Sequence, residues 1–319
     1  MSLISLLIAL VAERYLSTSV WQFKTYFHAY VGLFKSSKVM QLTKQSIALQ
    51  LIFIAIPVLV CDLLIELVDD GLLYLVFSTL ILIVCFGCVK TRQCYKDYLM
   101  SAFRGETVSC EFHHRQLQQD THSAPMSFGQ LLVWLNYRYF IAIMFFFVIF
   151  GPAGALFYRL LVTLNESPES LKEVIKQEAT KDDKAIDEAK ANAETSIEVE
   201  NNAEVKVENQ STDSNEKVES NIFKDILFWI DWLPVRIVAF GYMLVGHFSK
   251  AMPVWLENLL DINKQPNQIL ISVAQQSEDF MVDPEDCTAE PCLLVRLAKR
   301  TLMLCLAAIS ILILTGIIN

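Results

Sequence analysis

Two short stretches of the chain set charged and amide side chains among oily neighbours. One is Trp134-Leu135-Asn136-Tyr137-Arg138-Tyr139; the other is Ile230-Asp231-Trp232-Leu233-Pro234-Val235-Arg236. A lone charge at the centre of a bilayer costs about 3 kcal/mol on insertion scales, so charges kept at that depth are functional candidates by default. Asn136, Arg138, Asp231 and Arg236, with His247 beyond them, form the candidate intramembrane polar cluster. Asp231 and Arg236 stand close enough in sequence to pair, which would lower the cost of both. Arg138 needs a carboxylate partner, or must snorkel to the headgroups. Were the chain an enzyme acting on a nucleotide, Arg138 and Arg236, with His247 beside them, would be its anion site.

Nothing else points to catalysis. The chain has no Gly-rich phosphate loop and no metalloprotease helix, and no nucleophile elbow. No catalytic residue, cofactor or metal is expected. Cys85-x-x-Cys88 has half the spacing of a zinc site, but it falls inside an apolar run. Cys110-x-x-His113-His114, with His122 nearby, lies in a polar loop without a second cysteine pair. Cys287 and Cys292 would bridge only outside the cytoplasm. Asp62, Glu66 and Asp69 share a helical face, which reads as a helix reaching water.

These groups need apolar elements to hold them. Residues 71–89 carry no charge, and nineteen helical residues are about 28 Å long, close to the ~30 Å hydrocarbon core. Further apolar runs cover 47–68, 139–164 and 302–318. The run 3–12 is a half-span; it lacks the basic flank and cleavage site of a signal peptide. Residues 13–45 mix lysines with aromatics, which suits a helix at the headgroups rather than a nucleic-acid face. Gly151-Pro152-Ala153-Gly154 kinks its run or turns it back. Residues 226–247 contain Asp231, Pro234 and Arg236 and read as a broken or re-entrant helix. The expected fold is all-α: a polytopic helical membrane protein with about 4–5 transmembrane helices plus interfacial or re-entrant ones. It divides into an N-terminal membrane part, 1–164, and a C-terminal membrane part, 222–319. Lys and Arg in 13–45 and 90–130 place both flanks in the cytoplasm, with the tip of a 47–68/71–89 hairpin outside.

The net charge of −9 says little about partners. Residues 165–221 hold sixteen acids and seven lysines, so the remainder is neutral. That stretch has no aromatic residue, cannot offset its ordering entropy by burial, and is expected to be a disordered insert.

The segments Leu131-Leu-Val-Trp134-Leu-Asn-Tyr-Arg-Tyr-Phe140, Asp231-Trp-Leu-Pro-Val-Arg236 and Gly246-His-Phe-Ser-Lys-Ala-Met-Pro-Val-Trp255 resemble the AmpE family. That resemblance implies a multi-pass inner-membrane protein tied to regulation of inducible β-lactamase and the response to antibiotic in Gram-negative bacteria. The family in turn is similar to the CobD family of ATP-dependent amide ligases of cobalamin synthesis. Leu233-Pro-Val-Arg236 is similar to that family's Leu-Pro-Ala-Arg, but its early Asp-Pro and His-Pro-Val motifs are missing. Arg138 stands where it has an Asp, and Gln265-Pro266-Asn267 keeps part of its Ser-Pro-Asn. A magnesium-holding carboxylate replaced by Arg reverses the local charge. The resemblance therefore implies a non-catalytic regulatory protein, with the ligase of a corrinoid-like or amphiphilic substrate as the alternative. Its partners are the lipid bilayer and an unidentified nucleotide or cell-wall-related ligand, with no nucleic acid.

Overall fold

A backbone in lipid must satisfy its own N–H and C=O groups, and the described residues do this as helices, with no strand among them. The structure is a computed structural model that describes residues 2–16, 18–34, 47–68, 70–166, 213–278 and 287–316. Asp69 and most of the expected disordered insert, 167–212, lie outside the described residues.

The N-terminal part runs α1 (Ser2–Tyr15), α2 (Phe23–Phe34), α3 (Ile47–Glu66), α4 (Gly71–Phe86), α5 (Val89–Phe103) and α6 (Thr107–Asp120). Then come α7 (Phe128–Asn136), a π-helical turn (Tyr137–Ile141) and α8 (Ala142–Glu166). The C-terminal part is α9 (Asp213–Val245), α10 (Phe248–Leu259), α11 (Pro266–Gln276) and α12 (Ala289–Leu314). By length and composition three stretches among the described residues can cross a bilayer: Phe128–Glu166, Phe223–Val245 and Ala289–Leu314. A fourth is available if α4 and α5, bent by 43° at Gly87, serve as one. The protein is thus an all-helical membrane protein.

Several boundaries differ from those read in the sequence. The helices α3 and α4 do not form a tight hairpin; α3 packs chiefly on α8, while α4 packs chiefly along α1 and then on α8. Tyr30 on α2 donates its hydroxyl to the Phe53 carbonyl at 2.9 Å and so ties the interfacial helix to α3. The segment 226–247 is not broken at Pro234. The helix α9 runs through that proline to Val245, and the chain breaks at Gly246 instead. The last helix starts at Ala289, well before the expected span 302–318.

The largest difference concerns the expected span 139–164. In a straight helix, residues 138 and 166 would stand about 42 Å apart. Here the Arg138 guanidinium lies 3.5 Å from the Glu166 carboxylate, and Tyr158 stacks on Phe146 with centroids 4.8 Å apart. The chain must therefore double back, and Gly151 is where it does so, with φ 69° and ψ −163° inside α8. That conformation is essentially reserved for glycine, and Pro152 next to it keeps the preceding residue out of the helical region. Gly154 completes the reversal: a Cβ there would stand 2.6 Å from the Phe146 carbonyl oxygen. Ile149 and Phe150 are exposed at the tip, as residues facing lipid would be.

The helices α9, α10 and α11 meet at a second close approach. The His247 N–H donates to the Ser277 carbonyl at 2.8 Å, and a Cβ on Gly246 would lie 2.3 Å from that same oxygen. Backbone cannot move aside as a flexible side chain can. Gly246→Ala is therefore expected to cost about 1–3 kcal/mol of overpacking strain. A lower melting temperature in neutral detergent, read by tryptophan fluorescence, checks this; an unchanged one contradicts it.

Candidate functional site

The wide turn at Tyr137–Ile141 shapes the polar centre. Tyr137, Arg138 and Tyr139 are all buried, as are the five residues Leu131–Leu135 before them, because protein surrounds this part of the chain on every side. The π turn interrupts the regular spacing, and π turns of this kind often mark functional positions. Tyr137 reaches α9, while Arg138 and Tyr139 reach the end of α8.

Two carboxylates anchor the network. Asp231, on α9 and 2 % exposed, accepts hydrogen bonds from Tyr137 at 2.8 Å and Tyr158 at 2.9 Å. Two phenol O–H donors thus converge on one buried oxygen. Glu166 accepts from Tyr139 through both oxygens at 2.9 Å and pairs with Arg138. The Arg138 guanidinium also lies 5.1 Å from the centre of the Trp134 ring. The first arm of the hairpin supplies Tyr137, Arg138 and Tyr139, the second Tyr158 and Glu166, and α9 closes the set with Asp231.

The expected Asp231–Arg236 ion pair is not formed. Five helical residues turn a side chain by about 140°, so the two groups leave α9 on different faces. Arg236 instead donates from Nε to the Leu259 carbonyl at 2.7 Å and from Nη2 to the Asp261 carbonyl at 2.6 Å. Its Nη1 donates to the Trp232 carbonyl at 2.7 Å. The guanidinium lies 4.2 Å from the Trp232 ring centre. It satisfies the orphan carbonyls where α10 ends, which is the work of a structural clamp. Arg236→Lys keeps the charge but loses the fork. It is expected to cost about 2 kcal/mol or more, read as a lower melting temperature together with faster proteolysis after α10.

The other expected residues also separate. Asn136 is half-buried, and its side-chain oxygen is buried without a hydrogen-bond partner. His247 is exposed at the start of α10, roughly 24 Å along the helix axis from Asp231. Arg138, Arg236 and His247 therefore do not converge, and the anion site expected from them is not built. Among the described residues no three His, Cys, Asp or Glu side chains gather as for a metal ion. Cys110 donates to the Tyr98 carbonyl at 3.7 Å, and the His114 ring bonds the Met126 carbonyl at 2.9 Å. Asp62 and Glu66 are exposed.

Sequence reasoning missed Glu166, Arg159 and Tyr158. Glu166 was assigned to the acidic insert, yet it is 1 % exposed at the end of α8. Arg159 lies inside the run taken as a span and is 4 % exposed. The spacing of 159 and 166 is seven residues, two helical turns, which puts both on one face. That was the available signal. For Tyr158 there was none, because its partner is met only after the chain reverses.

A helical membrane protein with a buried tyrosine–carboxylate–arginine network is what these elements define. A family model described as "Regulatory signalling modulator protein AmpE" matches residues 1–166 and 206–319. The chain belongs to this family. It is also 24% identical over 250 residues to a protein of Shigella flexneri named Protein AmpE, covering 74% of this chain and 72% of that one. No solved structure matches the chain. The family match resumes at residue 206 and omits 167–205, so the stretch outside the family pattern is shorter than 165–221. Both Glu166 and the start of α9 belong to the shared part.

Proposed function

We propose that this protein is a multi-pass protein of the bacterial inner membrane that modulates induction of β-lactamase in response to antibiotic. The observation that carries the reading is the regulatory-family match on both sides of the insert. The geometry is consistent with a receiver of signals rather than a ligase. The two buried carboxylates of the polar centre are spent on protein partners: Asp231 on two tyrosines, Glu166 on Tyr139 and Arg138. A network of neutral hydroxyls and one ion pair joining three helices is a natural two-state element, because its donors can be satisfied in only a few arrangements.

The test is genetic. In a Gram-negative host with an inducible β-lactamase, the gene for this chain is deleted, then restored as wild type or as Asp231→Asn. The expected result is a several-fold change in β-lactamase activity after a sub-inhibitory β-lactam, restored by the wild type only. Equal induction in all strains would overturn the reading. Density separation of envelopes checks the location: the protein is expected with the inner-membrane fraction.

A further inference from the structure

A cleft opens where α2, the α4–α5 junction, α6 and α8 meet. Arg159 lies at its floor, with Lys24 and Lys90 toward its mouth and Thr91, Thr121 and Asp120 on its walls. The Arg159 guanidinium is held between two rings, 4.4 Å from the centre of Tyr139 and 5.5 Å from that of Phe23. Those contacts fix its plane but offer no hydrogen-bond acceptor. Its Nε and Nη1 are buried and have no hydrogen-bond partner. Among the described residues no carboxylate pairs with it; Glu166, two turns on, pairs with Arg138 instead.

A buried guanidinium with idle donors is costly, because it has lost water and gained no acceptor. Networks like the one around Asp231 avoid that cost. The same cleft receives a second source of positive potential. The fifteen-residue helix α5 begins here at Val89; its N-cap residue Cys88 offers no side-chain cap, and the Glu13 carboxylate that bonds the Cys88 backbone is itself paired with Arg92. The first-turn N–H groups of a helix and its dipole favour an anion. Burial pushes the Lys24 ammonium below the ordinary lysine range; of its charged neighbours Glu166 opposes the fall most, Lys90 and Arg159 add to it, and Asp120 opposes it. Three cations, Arg159, Lys24 and Lys90, face two carboxylates, Asp120 and Glu166, and Glu166 is already paired with Arg138.

We propose that this cleft binds a phosphate group, with Arg159 as the buried anchor and Lys24, Lys90 and the start of α5 completing the cradle. A guanidinium suits this task because it can give two parallel N–H bonds to two phosphate oxygens. The flanking helices α2 and α5 carry the basic side chains expected at a cytoplasmic headgroup layer. An anionic lipid headgroup and a soluble phosphate ester both carry such a group, and the test below tells them apart. The inference goes beyond the regulatory reading and does not depend on it, since binding is measured without any cellular readout.

The full-length protein is purified in neutral detergent and examined by native mass spectrometry with phosphatidylglycerol, with phosphatidylcholine, and with inorganic pyrophosphate. Arg159→Met and the mouth double variant Lys24→Gln/Lys90→Gln are run beside it. The expected result is adducts with phosphatidylglycerol or pyrophosphate, at least about tenfold weaker in Arg159→Met and severalfold weaker in the double variant. Retention of phosphatidylglycerol against millimolar pyrophosphate assigns the site to a headgroup; the reverse assigns it to a soluble ester. Adducts of equal strength in wild type and the double variant, or none with either probe, overturn the proposal. The double variant guards against the case where Arg159→Met fails to fold, because both lysines lie at the mouth, Lys90 exposed and Lys24 half-buried.

Discussion

Asp231→Leu is expected to melt well below the wild type in detergent, and adding Tyr137→Phe and Tyr158→Phe to the same chain is expected to recover most of the loss. The reasoning rests on an asymmetry. Leucine nearly fills the space of Asp231 but leaves the hydroxyls of Tyr137 and Tyr158 buried with no acceptor. Each stranded donor costs about 1–3 kcal/mol, so the single substitution costs about 2–6 kcal/mol. Removing all partners at once strands nothing, and such wholesale replacement is often near neutral. Asp231→Asn keeps one oxygen as acceptor and is expected to fall between. The measurement is the order of melting temperatures: wild type, triple variant, Asn variant, Leu variant. A triple variant no more stable than Asp231→Leu would show that the three groups do not act as a unit.

Glu166→Ala is expected to do comparable damage from the opposite end of the network. It leaves the Arg138 guanidinium, 8 % exposed, without its carboxylate, and takes the acceptor from Tyr139. Removing one partner of a buried pair typically costs about 3–5 kcal/mol. Arg138→Met combined with Glu166→Leu is expected to be markedly more stable than Glu166→Ala alone. The same residue marks how far the charged stretch can be trimmed. Removal of 168–205, the part lying beyond the family pattern, is expected to leave the melting temperature unchanged. A deletion that begins at 165 is expected to cost as much as Glu166→Ala. Equal melting temperatures for the two deletions would mean that Glu166 contributes nothing.

Much of the architecture was readable because bilayers impose few solutions. Long apolar runs must be helices, and 47–66, 71–86 and 302–314 lie in α3, α4 and α12. The Gly151-Pro152 pair announced a break, since backbone preference alone decides it. What the sequence did not announce was the consequence of that break. Only the reversal brings Tyr158 and Glu166 back beside Tyr137, Arg138 and Tyr139, and contact between residues 28 positions apart leaves no periodic trace. The same holds for Arg236. A charge near Asp231 invites pairing on the grounds of proximity, whereas its partners are backbone carbonyls, two of the three more than twenty residues away. Carbonyls carry no sequence signature, so a clamp onto them looks like any stray arginine. Asn136 and His247 were singled out for polarity among oily neighbours, and polarity cannot tell a helix flank from a helix start.

The about-face at Gly151 has a bearing on sidedness. A straight passage through lipid would deliver residue 167 to the far compartment. A chain that turns round delivers it to the compartment it came from, beside Arg138 and the basic segment that precedes Phe128. The long acidic stretch and that basic segment then share one aqueous phase. Maleimide applied to intact cells should tag cysteines placed at Ser109 and Ser214 together or not at all.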